Sequence, residues 1–367
     1  MIATLPETTS IVNEKILPIK DFLPANNITS TGAKLEAIRH LAQDFHKRFY
    51  LGPKVLSVQT LDLISFPYPT RFGFWGAASS PAPYVIMTNR TLLVQFYQGS
   101  SIKTLLMNPT DYEASQAAPY FSKQIKRYGK FLSQGVLSKK YGTVPAYLQK
   151  LGIKPSQIDY VSFDHMHVQD LRGLMGTVDQ NGQTKQDALY PNAKFIFHRA
   201  EVESMQQLHP IQIPWYVPNA LKDVRKENQL LIDGDIMLGD GVAILHTPGH
   251  TPGNISLAIN TPNGVFVTSE NGISIDSYCP LESKIPGIRR YAKEWGVEVI
   301  LNANTVEYTA EQYISMIKEK IVAGSGALGA GIPNFFPSSE LTGSWLAPGL
   351  TPTFSRRSIE FGKLVLS

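Results

Sequence analysis

Three histidines, and the segments that they follow, are the first sign of chemistry in this sequence of 367 residues. His165 and His167 come directly after the apolar segment YVSF, and alternate residues of an extended backbone point to the same side. His250 lies in HTPGHTPG, whose prolines and glycines hold a turn rigidly enough to present a ligand. Imidazole nitrogens suit zinc, iron and manganese-like sites to differing degrees. The spacing therefore indicates a metal site.

Other residues that could take part in binding or catalysis have weaker support from the sequence. His198 ends the strand-like segment KFIFH, and we expect it to have a structural or supporting role near the pocket. His209 lies in a proline-rich loop that we expect to form part of the pocket wall, together with Trp215 and Tyr216. Cys279 is the single cysteine, and nothing around it marks a nucleophile. A single cysteine also excludes internal disulfides and cysteine-rich zinc modules.

The elements that must position these residues alternate between helix and strand. Residues 32–49 carry apolar side chains on one helical face, which predicts an amphipathic helix. Residues 55–106 are typical of short antiparallel strands punctuated by Gly, Pro, Ser and Asn. Further along, helices and strands interleave, and VEVILNA at residues 297–303 is predicted to be a strand. Strands interleaved with helices favour two sheets covered by helices, a layered α/β arrangement.

The chain divides into three predicted parts. Residues 1–54 form an N-terminal arm and helix, and residues 55–322 form the main domain. Residues 323–367 are rich in Gly, Pro and Ser but hold several aromatic side chains, so we expect this tail to pack on the body or on a second subunit. Residues 120–150 are basic and mostly helical; the run is either a solvated face or the flank of a pocket for an anionic substrate.

Composition excludes several classes of protein. Lys plus Arg number 34 against 30 acidic residues, and this small excess does not favour nucleic-acid binding. No stretch approaches the roughly 20 apolar residues of a membrane span. The first residues lack the apolar run of a signal peptide, and the single cysteine favours a cytoplasmic setting.

Four segments in order resemble landmarks of the metallo-β-lactamase superfamily, over about residues 55–320. They are LQKLGIKPSQIDYVSFDHMH, HTPGHTPGNISL, GVFVTSEN and VEVILNANT. The resemblance implies an α/β fold, the four-layered αββα sandwich. It also implies that His165, His167 and His250 bind the first metal. Glu270 stands where the family has a bridging aspartate, and Asn304 where it has a final histidine.

The sequence departs from the family at the second metal site. The family pattern is H-x-H-x-D-H, whereas Gln169 and Asp170 follow the histidine pair here. Their oxygen ligands favour manganese, magnesium or calcium over zinc. Asp170 has three open roles: a ligand shared with Glu270, a general base, or an acceptor for a ligand imidazole. Asp164, just before the pair, is expected to orient a ligand ring.

Two functions compete. The first is a metal-dependent hydrolase of a small ester, lactone, thioester or similar carbonyl substrate, with Asp170 assisting catalysis. It would use one divalent ion, with zinc favoured over iron or manganese, and the case for a second ion is weak. The ligands would be His165, His167, His250, Glu270 and Asp170. The second is a non-catalytic or metal-free descendant that binds a small ligand or a protein partner. We expect a small-molecule partner, neither nucleic acid nor membrane, and a homodimer.

Overall fold

The computed structural model describes residues 16–131, 137–303, 308–326 and 328–366. The strands are β1 (Leu17–Pro18), β2 (Ser57–Pro69), β3 (Tyr84–Gln98), β4 (Ser101–Met107), β5 (Lys139–Lys140), β6 (Tyr160–Ser162), β7 (Thr177–Val178), β8 (Thr184–Gln186), β9 (Lys194–His198), β10 (Gln229–Ile232), β11 (Ile236–Gly239), β12 (Val242–His246), β13 (Ile255–Thr261), β14 (Gly264–Thr268), β15 (Ser325–Gly326), β16 (Gly329–Pro333) and β17 (Ser339–Thr342). The helices are α1 (Leu23–Asn26), α2 (Thr31–Leu51), α3 (Thr70–Gly73), α4 (Pro119–Phe131), α5 (Val144–Leu151), α6 (Arg172–Met175), α7 (Arg199–Gln206), α8 (Ile288–Trp295) and α9 (Thr309–Ala323).

Two sheets form the centre of the molecule. The smaller sheet has the order β1-β11-β12-β13-β14, and all of its pairs are antiparallel. The larger sheet has the order β10-β9-β6-β4-β3-β2-β5, with β17 added alongside β3. Its pairs from β10 to β4 are parallel and the others are antiparallel. The antiparallel strands predicted between residues 55 and 106 are β2, β3 and β4.

Alternation along the strands divides the apolar residues into layers. In β12, Val242 and Ile244 lie in the cluster between the two sheets, whereas Ala243 and Leu245 lie in the cluster beneath α2 and α9. In β4, Leu105 and Met107 face the space between the sheets, and Leu106 joins the cluster on the outer side of the larger sheet. Successive side chains of a strand point to opposite faces, so each sheet buries both faces. The αββα sandwich is therefore confirmed.

Helix α2 shows why the predicted amphipathic segment folds as it does. Its buried side chains are Ile38, Ala42, Phe45 and Phe49, spaced three or four residues apart. The Phe45 ring lies 5.3 Å from that of Phe49 and 5.5 Å from that of Phe22. Helix α2 packs with α9 against the smaller sheet, and Phe45→Ala would cost about 3–5 kcal/mol of stability.

The C-terminal segment adds a strand to the body. Strand β17 pairs antiparallel with β3, with Leu341 opposite Met87. Phe335 and Phe336 are fully buried, while Trp345 is 82% exposed. This pairing carries the residues just before β17 to the edge of the sandwich where the histidines lie.

One predicted element is wrong. Residues 297–303 form no strand, because their backbone donors bond to residues that lie outside any strand. Ile300 N–H donates to Ser277 O at 2.8 Å, and Ala303 N–H donates to Phe72 O at 3.0 Å. Asn304, which follows, lies outside the described residues. Within the described ranges, none of the helices combines the length and the apolar character that crossing a membrane requires.

Candidate metal centre

The three predicted histidines meet at one edge of the sandwich. His165 and His167 follow β6, and His250 lies in the loop between β12 and β13. One nitrogen from each ring lies within 4.8 Å of the other two, and the ring centroids are 4.6–4.9 Å apart. All three side chains are buried. No other set of three His, Cys, Asp or Glu side chains in the described part of the chain has this spacing.

Each imidazole has one nitrogen held by an oxygen acceptor, which fixes that nitrogen as an N–H donor. The remaining nitrogen of each ring then keeps its lone pair. Imidazoles that bind a metal are held in the same way, with an oxygen acceptor on the nitrogen that does not face the metal. The bonds are His165 Nδ1 to Asp164 Oδ1 at 2.8 Å, His167 Nε2 to Gln212 Oε1 at 2.7 Å, and His250 Nδ1 to the Asn302 carbonyl at 3.1 Å.

The lone-pair nitrogens fit a cation. His167 Nδ1 and His250 Nε2 are 3.2 Å apart, and two lone pairs at that separation repel unless a cation lies against both. Burial, then the charge of neighbouring histidines, lowers the pKa of His167 well below its usual range. Burial likewise lowers the pKa of His250 to about 3. Neutral imidazole is the form that binds metal, so these side chains are suited to one.

Asp164 holds the first histidine in place. Its backbone N–H donates to Asn108 Oδ1 at 2.9 Å, and Asn108 Nδ2 donates back to Asp164 Oδ2 at 3.2 Å. Burial alone would lower the pKa of His165, but the charge and hydrogen bond of Asp164 outweigh burial and raise it. Asp164 therefore orients the His165 ring, as expected from the sequence.

Glu201 joins the loop of His165 and His167 to the loop of His250 through hydrogen bonds. Its carboxylate accepts from Met166 N–H at 2.8 Å, between the first two histidines, and from Thr251 Oγ1 at 2.6 Å, beside the third. The Tyr216 hydroxyl donates to it at 2.8 Å. Glu201 is 2% exposed, so these three donors replace the water that an exposed carboxylate would have. The carboxylate fixes the loops relative to each other.

The HTPGHTPG turn depends on a close approach at Gly249. Its φ of 152° is a conformation that L side chains rarely adopt, and a Cβ there would lie 2.3 Å from Gln312 Cα. Gln312 Nε2 in turn donates to the Asn302 carbonyl at 2.8 Å, the same oxygen that accepts from His250. His250 N–H donates to Asn271 Oδ1 at 3.0 Å. Helix α9 thus helps to set the position of His250.

After the histidine pair, Gln169 lines the cavity beside the histidines, whereas Asp170 turns away from them. Val168 has a φ of 57°, an outlier for a β-branched residue, and it reverses the chain after His167. Gln169 Nε2 donates to Thr110 Oγ1 at 3.0 Å. Asp170 instead accepts from Arg172, at 2.9 Å from Nε and 2.5 Å from Nη2, and lines a separate surface groove. The structure does not bring Asp170 to the histidines, so its position gives no support to a role as ligand or base.

Glu270 does lie beside the histidines. It follows β14 and lines the same cavity, and Ser338 Oγ donates to its Oε2 at 2.7 Å. Ser338 also hydrogen-bonds Asp164, so its hydroxyl lies between the two carboxyl groups. Burial, then the charge of Asp164, raises the pKa of Glu270 to about 7. Its carboxylate falls outside the close group of three nitrogens, and its role as a ligand stays a prediction.

A cavity of about 120 Å³ opens over the histidines, which line it. The apolar part of its wall is supplied by Ile64, Phe66, Met87, Phe121, Ile125 and Trp215. Polar groups near the histidines come from Asn89, Asn108, Thr110 and Gln169. The Tyr68 hydroxyl donates to Asn302 Oδ1 at 2.9 Å and so supports the wall.

The weaker sequence candidates lie elsewhere. His198 stacks on His246 with ring centroids 3.7 Å apart, and its Nδ1 accepts from Ala200 N–H at the start of α7, a structural role. The proline-rich loop contributes Trp215 to the cavity wall, whereas His209 of the same loop is exposed and does not line the cavity. Cys279 is buried, and burial raises the pKa of its thiol to about 12.

Sequence reasoning missed four supports of the site: Glu201, Gln212, Asn302 and Ser338. Gln212 lies in the proline-rich loop whose Trp215 was expected in the wall, which is the one signal that pointed towards it. The others act through contacts between segments far apart in the chain, and no local pattern marks them.

Sequence comparison finds relatives with a stated activity. The chain is 31% identical over 162 residues to an N-acyl homoserine lactonase from Bacillus sp, covering 43% of this chain and 56% of that protein. It is 28% identical over 164 residues to the N-acyl homoserine lactonase AttM from Rhizobium radiobacter, covering 41% and 54%. The chain thus spans about half the length of the curated relatives it matches. No protein-family profile matches it.

Solved structures with a similar fold include two hydrolases. A probable metal-dependent hydrolase from Staphylococcus aureus matches with a TM-score of 0.48 and 16% identity, covering 72% of this chain and 83% of the other. The dizinc quorum-quenching lactonase AidC, in complex with a product, matches with a TM-score of 0.48 and 16% identity, covering 86% and 99%.

Proposed function

We propose that this chain, whose αββα sandwich is the fold of the metallo-β-lactamase superfamily, is a metal-dependent hydrolase of a lactone or a similar small carbonyl compound. The observation that carries the proposal is the trio of His165, His167 and His250. Each has its outer nitrogen bonded to an oxygen and its lone-pair nitrogen close to the other two. A protein that used this cleft only to bind a ligand would not need three imidazole nitrogens with their lone pairs so close together.

The substrate class is inferred from the relatives and from the cavity. The curated relatives are N-acyl homoserine lactonases, and they match this chain over less than two thirds of their length. The cavity combines an apolar wall with a few polar groups beside the histidines. That combination suits a substrate with an apolar part and one carbonyl. Lactones come first among the candidates, followed by other esters and thioesters.

We propose one divalent ion, zinc, held by the three imidazoles. Three protein ligands with an open position are the usual catalytic arrangement for zinc. When bound, the ion polarises a carbonyl and supplies water that loses its proton near neutral pH. The chain offers no matching set for a second ion in its described part, because Asp170 is bonded to Arg172.

The chain's own residues would orient the substrate and move protons. Trp215 and Phe66 line the cavity and exclude bulk water from the reacting carbonyl. Glu270 is the carboxyl that we assign to proton transfer in place of Asp170, because Glu270 lines the cavity and Asp170 does not. Asp164 and Glu201 hold the histidine loops in place.

The test is hydrolysis by zinc-loaded and chelator-treated protein of a lactone, a linear ester and a thioester with the same acyl chain. We expect hydrolysis that chelation abolishes and zinc restores, with the lactone fastest. Equal thermal unfolding with and without chelator, together with no hydrolysis of any of the three, would favour the metal-free binding protein instead. The homodimer and the cytoplasmic setting stay predictions.

A further inference from the structure

A groove beside the metal cavity is lined by three cations and no acid. Arg71 comes from α3, and Lys123 and Arg127 come from α4, four residues apart and so on one helical face. The groove includes no Asp or Glu among its lining residues. All three cations are exposed, and none forms an ion pair within the described ranges. We call this surface the basic groove.

Aromatic rings line the basic groove between the cations. The hydroxyls of Tyr84 and Tyr128 are 3.1 Å apart, and the guanidinium of Arg127 lies 5.3 Å from the Tyr128 ring centroid. Arg71 lies 4.4 Å from the Phe72 ring centroid. Rings of this kind hold guanidinium groups above an apolar surface. A cleft of one charge with low-dielectric walls concentrates ions of the opposite charge.

The basic groove and the metal cavity share a wall. Tyr120, Gln124 and Trp215 line both, and the Tyr120 and Trp215 rings stack with centroids 4.5 Å apart. Val168 N–H donates to Trp215 O at 2.7 Å, which connects this wall to the histidine loop. A molecule whose carbonyl lies at the histidines can therefore extend past the shared wall towards the three cations.

We propose that the basic groove binds an anionic group, a carboxylate or a phosphate, on the part of the substrate remote from the bond that is cleaved. The proposal rests on the hydrolase function and narrows its substrate class. It also gives the basic run of residues 120–150 a role, since Lys123 and Arg127 belong to it. With a neutral substrate, the three cations would form no ion pair within the described ranges.

Kinetics with matched substrates test the proposal. One substrate carries a methyl group at the end of its acyl chain, the second a carboxylate and the third a phosphate, on the same lactone or thioester. The variant Lys123→Gln/Arg127→Gln removes two cations, and Lys126→Gln is the control, because Lys126 is on the same helix but does not line the groove.

For the double variant we expect KM for the anionic substrates to rise about tenfold, the effect of losing roughly one charge-assisted contact, with kcat unchanged. The methyl-terminated substrate and the control variant should show no change. Whichever anionic substrate has the larger change identifies the group as carboxylate or phosphate. Equal changes for neutral and anionic substrates, or none for any, would overturn the proposal.

Equilibrium binding separates this proposal from the hydrolase function. Octanoate, octyl phosphate and neutral octanamide are titrated while tryptophan fluorescence is followed, since Trp215 lines both cavities. Tighter binding of an anion than of octanamide, lost in the double variant, supports the groove even if no hydrolysis is found. Binding of octanamide as tight as that of both anions would contradict the groove whatever the protein hydrolyses.

Discussion

The segment from Asp164 to Asp170 begins with buried histidines that line one cavity and ends with a carboxylate that lies outside it. In the first half, the His165 and His167 rings are buried, and each has an oxygen on its outer nitrogen. In the second half, Gln169 and Asp170 are bonded to Thr110 and Arg172. The change occurs at Val168, where a positive φ reverses the backbone.

This difference separates the candidate metal site from the residues that the metallo-β-lactamase resemblance places at a second site. Residue type alone suggested that Asp170 still contributed an oxygen to the centre. The guanidinium of Arg172, two residues away, satisfies that carboxylate on both oxygens. A carboxylate whose two oxygens already accept from a guanidinium is less available to bind a metal ion. The first half is thus the working part of the segment, and the following variants test that division.

Removing one of the three histidines should have the largest effect. In His167→Ala and His250→Ala, we expect hydrolysis to fall by more than the roughly 100-fold that loss of an outer partner costs a metal site. His209→Ala is the matched control, because His209 is exposed and does not line the cavity. Initial rates with zinc in excess measure the change. Full activity in either alanine variant would break the comparison.

The connection beneath the histidine loops should matter next. In Glu201→Gln, an amide NH₂ group replaces one carboxylate oxygen and faces groups that are themselves hydrogen-bond donors. We therefore expect hydrolysis to fall about 10–100-fold and zinc affinity to fall with it. Glu203→Gln is the control, because Glu203 is exposed on the same helix. Competition with a chelator measures affinity independently of activity. Unchanged affinity in Glu201→Gln would mean that the carboxylate supports the fold and not the metal site.

His198 and His246 form a second pair of buried histidines, and they test whether burial lowers the pKa of an imidazole outside the candidate metal site. Burial, then the charge of His246, lowers the pKa of His198 to about 3, and burial lowers the pKa of His246 to about 4. As pH falls below about 6.5, the unfolded chain binds protons on these residues that the folded chain does not, so stability falls.

His198→Asn removes one of these groups, and an asparagine still caps α7. Between about pH 7.5 and about pH 5, wild type should lose on the order of 2 kcal/mol more stability than the variant. Urea unfolding at both pH values measures this. Parallel losses in the two proteins would show that His198 titrates alike in the folded and unfolded states.

Asp170→Asn should have the smallest effect. Asp170 is bonded to Arg172 outside the cavity, so we expect hydrolysis to change less than about threefold and stability to fall by at most about 1 kcal/mol. A base in direct contact with the reacting groups would instead contribute roughly 100-fold or more. A loss of that size would restore Asp170 to the site and reverse the comparison.

Much of the fold followed from local pattern. The antiparallel strands within residues 55–106 and the helical spacing of Phe45 and Phe49 depend on local pattern, and both were predicted from the sequence. The predicted strand at residues 297–303 failed because its backbone donors bond to residues outside any strand, which only the folded chain reveals.

The candidate site divides in the same way. The histidines were found because their spacing and the HTPGHTPG turn are local. The structure places Asp170 against Arg172 outside the cavity, a contact that residue type alone does not predict. Glu201 and Ser338 reach the site from distant segments, and their contacts appear only in three dimensions.

The most direct test of this account is the metal content of purified protein. Element analysis after zinc loading and removal of excess should find about one equivalent in wild type and in Asp170→Asn, and far less in His250→Ala. Two equivalents in wild type falling to one in Asp170→Asn would contradict the division at Val168. Metal well below one equivalent in wild type would contradict the site itself.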